Sequence, residues 1–256
     1  MLSLAQFCKP MRALLLAGVA ALAISACASN RGSMPSPDYS GMPAAQSQQS
    51  LAELTARYKS NPKDKMVAIH YAAALRVAGQ SQQAVAVLEI SMTLHPKDVD
   101  INVAYAKALT ADGRFEQSLQ VLDNVIRPEA PDWNALLVKG AALDQLGRNG
   151  EARALYAQAL VHAPGEASIE ANLGLSYAMT NELPAAEQHL RRAVQMRGAT
   201  SQIRQNLALV VGLQGRFDEC RAIYAAELPP EQVESNMAYV RALLTQQNRW
   251  DMIAKS

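Results

Sequence analysis

From Leu51 onward, apolar side chains return every three or four residues, the spacing of one buried helix face. Leu51, Leu54 and Tyr58 make one such stripe ahead of Pro62, and Val233, Met237, Val240 and Leu244 make another after Pro229-Pro230. Between them the chain is broken at a constant step: Gly79, Gly113, Gly147, Asn181 and Gly215 stand 34 residues apart. Gly and Asn best tolerate positive φ just past a helix. The column therefore predicts a tight turn between two helices, made five times over. Runs of β-branched residues are short, and Ala, Leu, Gln and Arg dominate, so the predicted elements are helices throughout.

Further columns keep the same step. Seven residues before each turn stand Ala72, Ala106, Gly140, Gly174 and Ala208, and five after it stand Ala84, Ser118, Ala152, Ala186 and Cys220. Nine after it stand Leu88, Leu122, Tyr156, Leu190 and Tyr224. Small residues in the first two columns let paired helices approach closely. The larger residue is expected to fill the gap between neighbouring pairs. Pro62, Pro96 and Pro164 end helices in one register, and Pro184 falls where a first helical turn tolerates it.

This pattern resembles the tetratricopeptide repeat (TPR), a helix–turn–helix unit of 34 residues. The resemblance implies an all-α TPR solenoid, a right-handed superhelix. Its five repeats are drawn at 65–98, 99–132, 133–166, 167–200 and 201–232. Capping helices are expected at 51–64 and in 233–256, because solenoid ends need covering. The family's Trp near the start of each unit is absent. Glu227 stands where Ala is usual, which predicts a distorted second helix in the fifth repeat.

Composition narrows the chemistry. Aromatic residues make up only 5%, so the core must be built from many Ala and Leu contacts. The balance of 24 basic against 23 acidic side chains argues against electrostatic nucleic-acid binding. Three scattered Cys give neither a disulfide framework nor a zinc site. His70, His95, His162 and His189 include no pair at metal-binding helical spacing. With no phosphate loop or nucleophile elbow either, the expectation is a protein without enzymatic activity or cofactor. Cys220 reads as a buried, inert thiol.

Lys9 and Arg12 precede an apolar run from Ala13 to Ile24. Such a run has the size of a signal-peptide core and is too short to span a bilayer. It ends in Leu22-Ala23-Ile24-Ser25-Ala26-Cys27, which resembles the bacterial lipobox. The resemblance implies cleavage of residues 1–26 and acylation of Cys27, with palmitate among the acyl groups. Two or more acyl chains make membrane attachment stable. Ala28 rather than Asp after the Cys favours the outer membrane over inner-membrane retention. Residues 27–50 are rich in Ser, Pro, Gln, Gly and Met without a period, which predicts a disordered tether.

The TPR resemblance also directs particular side chains of each first helix into a groove. In the first half these are His70, Arg76, Lys107 and Thr110. In the middle they are Asn134, Leu137, Val138, Asp144 and Gln145. In the last two units they are Asn172, Leu175, Met179, Gln202, Gln205, Asn206, Leu209 and Leu213. Asn172 and Asn206 hold the same place in successive units, and an amide both donates and accepts. Ser168 and Gln202 replace the Lys of the family's carboxylate clamp, so a C-terminal carboxylate ligand is disfavoured. The late groove suits an amphipathic or extended apolar peptide.

The wording near the C-terminus is more specific. Asn206-Leu-Ala-Leu-Val-Val-Gly-Leu-Gln-Gly-Arg-Phe217, Leu228-Pro-Pro-Glu-Gln232, Asn236-Met-Ala-Tyr-Val-Arg241 and Asn248-Arg-Trp250 resemble the TadD family. Those are the TPR lipoproteins of the tight-adherence (Tad/Flp) pilus assembly and secretion system. The resemblance implies an outer-membrane, lipid-anchored assembly factor on the periplasmic face. Its expected partners are protein clients, the secretin or other pilus components, and membrane lipid through Cys27. Nucleic acid and small-molecule substrates are not expected. The alternative is a TPR lipoprotein that scaffolds outer-membrane protein insertion or regulates a peptidoglycan synthase.

Overall fold

The computed structural model describes residues 44–254, with side-chain surroundings for 46–245. The expected signal peptide, Cys27 and most of the expected tether lie outside the described residues. Within them the chain is all-α, with twelve helices and no strand. A leading helix α1 (Ala44–Ser60) is followed by α2 (Lys65–Val77), α3 (Ser81–Leu94), α4 (Val99–Ala111) and α5 (Phe115–Asp123). Then come α6 (Trp133–Gln145), α7 (Asn149–His162), α8 (Ala167–Met179) and α9 (Leu183–Gln195). The series ends with α10 (Ser201–Leu213), α11 (Phe217–Glu227) and α12 (Pro230–Ala254). The first helix of each of the five pairs has 13 residues and starts 34 residues after the one before.

Each pair is assembled by the same local chemistry. Asp64, Asp98 and Asp132 accept hydrogen bonds from the amides of Val67 (3.1 Å), Ile101 (3.1 Å) and Ala135 (2.8 Å), which caps the first helix. Thr200 does the same for Ile203 at 3.3 Å. At the other end the four turn glycines take φ of 73 to 81°, and Asn181 takes 60°. That left-handed residue closes a Schellman motif. In the first pair, Gly79 N donates to Arg76 O at 3.0 Å and Gln80 N to Leu75 O at 2.8 Å. The same two bonds recur at Asn181 and Glu182, at 3.0 and 2.9 Å.

The small columns lie where the paired helices cross, and all are buried. A Cβ added at Gly174 would lie 2.7 Å from Leu190 Cγ and 2.9 Å from the Ala186 carbonyl oxygen. One added at Gly140 would enter the Tyr156 ring. The large residue after the turn thus presses first on its own pair. It also reaches the next, as expected: Tyr156 shares a cluster with Ile169 and Leu173.

Consecutive first helices also pack on one another, α2 on α4, α4 on α6, α6 on α8 and α8 on α10. No second helix of a pair packs on another among the described residues. The layer of first helices therefore follows the shorter arc of the stack. At the C-terminal end α12 lies on α10 and α11, burying Val233, Met237 and Val240 as the sequence stripe predicts. Cys220 is buried against Met237, at 3.5 Å between sulfurs, and burial pushes its thiol pKa up.

Three expectations are corrected. The leading helix begins at Ala44, not at 51, because Ala44-Ala-Gln-Ser-Gln-Gln-Ser50 holds no Gly or Pro to stop it. The final helix begins at Pro230 rather than 233, its proline tolerated in the first turn. The distortion foreseen in the fifth repeat is modest: α11 runs 11 residues and ends as Glu227 pairs with Arg204. The shorter helix is α5, with 9 residues. It ends at Asp123 with Asn124 as its cap, five residues ahead of Pro128.

Three outcomes are expected. Gly174→Leu should cost roughly 1–3 kcal/mol in urea unfolding, because part of the obstruction is backbone. Gly150→Ala, which meets nothing within 4 Å, should be neutral or stabilising by up to about 1 kcal/mol. The third outcome concerns Glu187. Arg216 chiefly, then Gln214 and Arg191, pull its carboxyl down to about 2 against the cost of burial. A depressed carboxyl stabilises the fold above its unfolded pKa of ~4.3, and that contribution is lost as pH falls toward the folded value. Thermal melts of Glu187→Gln should therefore show a shallower decline through that acid range than the parent.

Candidate functional site

The inner layer of first helices presents the predicted groove residues in three different ways. In the first half, His70, Arg76, Lys107 and Thr110 are half-buried. Thr110 is engaged with the Ser118 hydroxyl at 2.9 Å. Arg76 and Lys107 line one shallow notch between α2 and α4, whose floor is Ala72, Ala73 and Ala104. His70 faces a cavity of about 80 Å³ with Leu54, Arg57, Met66 and Val67. Burial, and then the Arg57 charge, lower its pKa. Arg57 was not foreseen; its place between Leu54 and Tyr58 on α1 was the available signal.

In the middle, the prediction fails for most residues. Asn134, Leu137, Val138 and Asp144 are buried, and only Gln145 is exposed. Leu137 belongs to the core cluster around Tyr156. Asp144 is the centre of a buried network: it accepts from Tyr156 Oη at 2.8 Å, Ser176 Oγ at 2.7 Å and Asn149 Nδ2 at 2.7 Å. The carboxylate and burial together raise the Tyr156 pKa, burial being the larger cause. Arg153 extends the network to the next pair. It donates to Ser176 O at 2.9 Å and Glu182 Oε1 at 2.8 Å, and stacks 3.9 Å from the Tyr177 ring centre. Asp144 is thus a structural tie between α6, α7 and α8.

In the last two units the predicted set is accessible. Asn172, Leu175, Gln205, Asn206, Leu209 and Leu213 are half-buried, and Gln202 and Met179 are exposed, Met179 by 52%. Asn172 Nδ2 donates to Ser168 O at 2.8 Å, leaving its oxygen uncommitted. Asn206 Oδ1 accepts from Gln202 Nε2 at 3.1 Å, leaving its own NH₂ uncommitted. Gln205 donates to Ser201 Oγ at 3.1 Å. Each amide therefore keeps at least one donor and one acceptor, a repeat apart, which matches the needs of a peptide backbone.

Among the described residues no group of three His, Cys, Asp or Glu is placed to hold a metal ion. Nor is any described helix long and apolar enough to cross a membrane. The face is suited to non-covalent recognition.

Asp144→Ala should leave the Tyr156 and Ser176 hydroxyls without their buried acceptor and destabilise the fold by about 3 kcal/mol. Urea titration reads that loss. Tyr156→Phe, which removes one bond of the set, should cost about 1 kcal/mol.

Two family models, both for the tetratricopeptide repeat, match residues 75–140 and 137–202. No curated protein matches the sequence. Solved structures share the fold. A tetratricopeptide-repeat protein from Parabacteroides merdae superposes with a TM-score of 0.65 at 11% identity, over 77% of this chain and 78% of that one. The thermophilic TPR protein TTC0263 of Thermus thermophilus gives 0.59 at 20% identity, over 77% and 99%. PilW, a widely conserved type IV pilus biogenesis factor, gives 0.58 at 18% identity, over 77% and 91%. With its Schellman turns, capped first helices and small-residue crossings all recurring at the period of that repeat, the chain belongs to the tetratricopeptide-repeat family.

Proposed function

We propose that this chain is an outer-membrane-anchored TPR lipoprotein that binds protein clients during assembly of a Tad/Flp pilus, in the manner of TadD. The TPR array makes it a protein-interaction scaffold. The observation that carries client binding is the pair of amides with hydrogen-bonding capacity to spare, Asn172 and Asn206, set among Leu175, Met179, Leu209 and Leu213. The amides fix the register of a bound backbone, and the aliphatic side chains take its apolar residues. The lipobox-like run ending at Cys27 supports a lipid anchor, and the C-terminal wording supports the TadD likeness. Similarity of fold to a type IV pilus biogenesis factor accords with this reading. In such a role the anchor supplies the membrane and the groove holds a segment of the secretin or another pilus component. The chain between them sets the effective concentration.

Deleting the gene tests the reading. Loss of surface pili with normal growth is the expected phenotype; general envelope defects with intact pili would overturn it in favour of an outer-membrane insertion or peptidoglycan scaffold. The anchor is read separately from intact mass and fractionation. The native protein should begin at an acylated Cys27 and sediment with outer membranes, and Cys27→Ala should move it to the soluble periplasm.

A further inference from the structure

Away from the inner face, a seam between successive second helices recurs at every junction, and the repeats supply their own comparison. Between the first and second pairs, Tyr105 reaches Glu89 across the seam at 3.0 Å, and Val85 is buried. Between the third and fourth, Arg153 reaches Glu182 at 2.8 Å while lying 3.9 Å from the centre of the Tyr177 ring. Between the fourth and fifth, Glu187 and Arg191 of α9 pair with Arg216 and Glu219 of α11.

Between the second and third pairs the same positions leave an open slot of about 360 Å³ among α5, α6 and α7. Leu119 stands one period from Val85 and Arg153, Lys139 one period from Tyr105, and Leu143 one period from Tyr177. The slot therefore lacks the ring that the seam on either side of it contains. Its floor is aliphatic: Leu119, Leu143 and Leu155 belong to one cluster, the first and last of them only half-buried. Its rim is charged but balanced, with Lys139 paired to Asp123 and Arg148 to Glu151 at 2.7 Å.

We propose that this seam is a docking site for a partner polypeptide, which inserts one Tyr or Phe side chain between α5 and α7. The volume lies within the roughly 300–1,000 Å³ of sites that enclose a ligand. Three leucines give a ring the apolar contact it needs, and two rim cations face the negative charge of its π-system. Ion pairing does not remove a cation from that role: Arg153 keeps Glu182 and still lies on Tyr177. Because the rim carries no net charge, the residues flanking the inserted ring are uncharged. The site is separate from the amide-lined inner face and does not depend on it.

The test uses the full chain with methyl-labelled leucine, observed by NMR. The probes are synthetic Gln-Ser-X-Ser-Gln peptides with Tyr, Phe, Leu or Ser at X. The Tyr and Phe peptides should move the Leu119, Leu143 and Leu155 methyls upfield by ring current and leave Leu175 and Leu209 unmoved. They should bind about two- to fivefold more tightly than the Leu peptide, and the Ser peptide should not bind. Arg148→Gln should erase the preference for a ring while the Leu peptide stays bound. Lys139→Tyr, which restores a ring at the place of Tyr105, should abolish binding with a melting temperature at or above the parent's. Ala154→Gln narrows the same slot from an exposed wall position and should also weaken binding, whether or not Lys139→Tyr folds. Absence of ring-current shifts at the three leucines, or shifts at Leu175 and Leu209 instead, overturns the site. Equal binding of the Tyr and Leu peptides overturns the choice of an aromatic side chain. Self-association that displaces the Tyr peptide and is lost in Tyr239→Ser assigns the slot to the exposed ring of a second copy, and overturns the choice of a different partner.

Discussion

The whole array depends on how closely two helices can cross. At each crossing the residue before the turn has a Cβ or none, and the large residue after the turn fits what is left. Where Tyr156 or Leu190 projects inward, the facing residue is Gly140 or Gly174. Gly212 is a third such point, where an added Cβ would lie 2.8 Å from both Cys220 Sγ and Val240 Cγ1. Interiors packed to crystal density have no slack to absorb an extra methyl at such places. The close crossing brings each first helix near enough to touch its successor, and that contact creates a continuous inner face.

The junctions between pairs are unequal, and in a linear array stability is a sum of such neighbour terms. Between the third and fourth pairs, Arg153, Asp144, Tyr156 and Ser176 knit three helices together, and Arg153 also stacks on the Tyr177 ring. Between the fourth and fifth, Glu187 gathers Arg216, Arg191 and Gln214. Between the second and third, α5 is short and the smallest of the apolar clusters, Val103, Ala106, Leu122, Ala135 and Val138, carries the contact. Lys139 adds an ion pair to a largely exposed Asp123, a kind of contact that contributes little.

Most of the fold was legible because its causes are periodic. A left-handed turn admits few residues, a helix crossing admits few sizes, and both recur in every unit. What the columns did not carry were features made by single residues. The start of α1 at Ala44 reflects only the absence of a breaker, and the early end of α5 at Asp123 has no repeated residue behind it. The middle of the groove was misread for a related reason. Position within a repeat gives the direction of a side chain, but burial depends on its particular neighbours. Asp144 points as expected and is then consumed by Tyr156 and Ser176, a pairing that no column of one repeat contains.

That same dependence on neighbours makes the two amides unlike. Asn172 and Asn206 are equivalent by register, yet the first gives one of its two N–H donors to Ser168 O and the second gives one oxygen lone pair to Gln202. Each amide still keeps both functions: Asn172 has its oxygen and a second N–H, and Asn206 has both N–H groups and a second lone pair. The two units therefore differ in how many bonds they can make to a strand, not in kind. Weak contacts at both units reinforce one another along a single client through effective concentration.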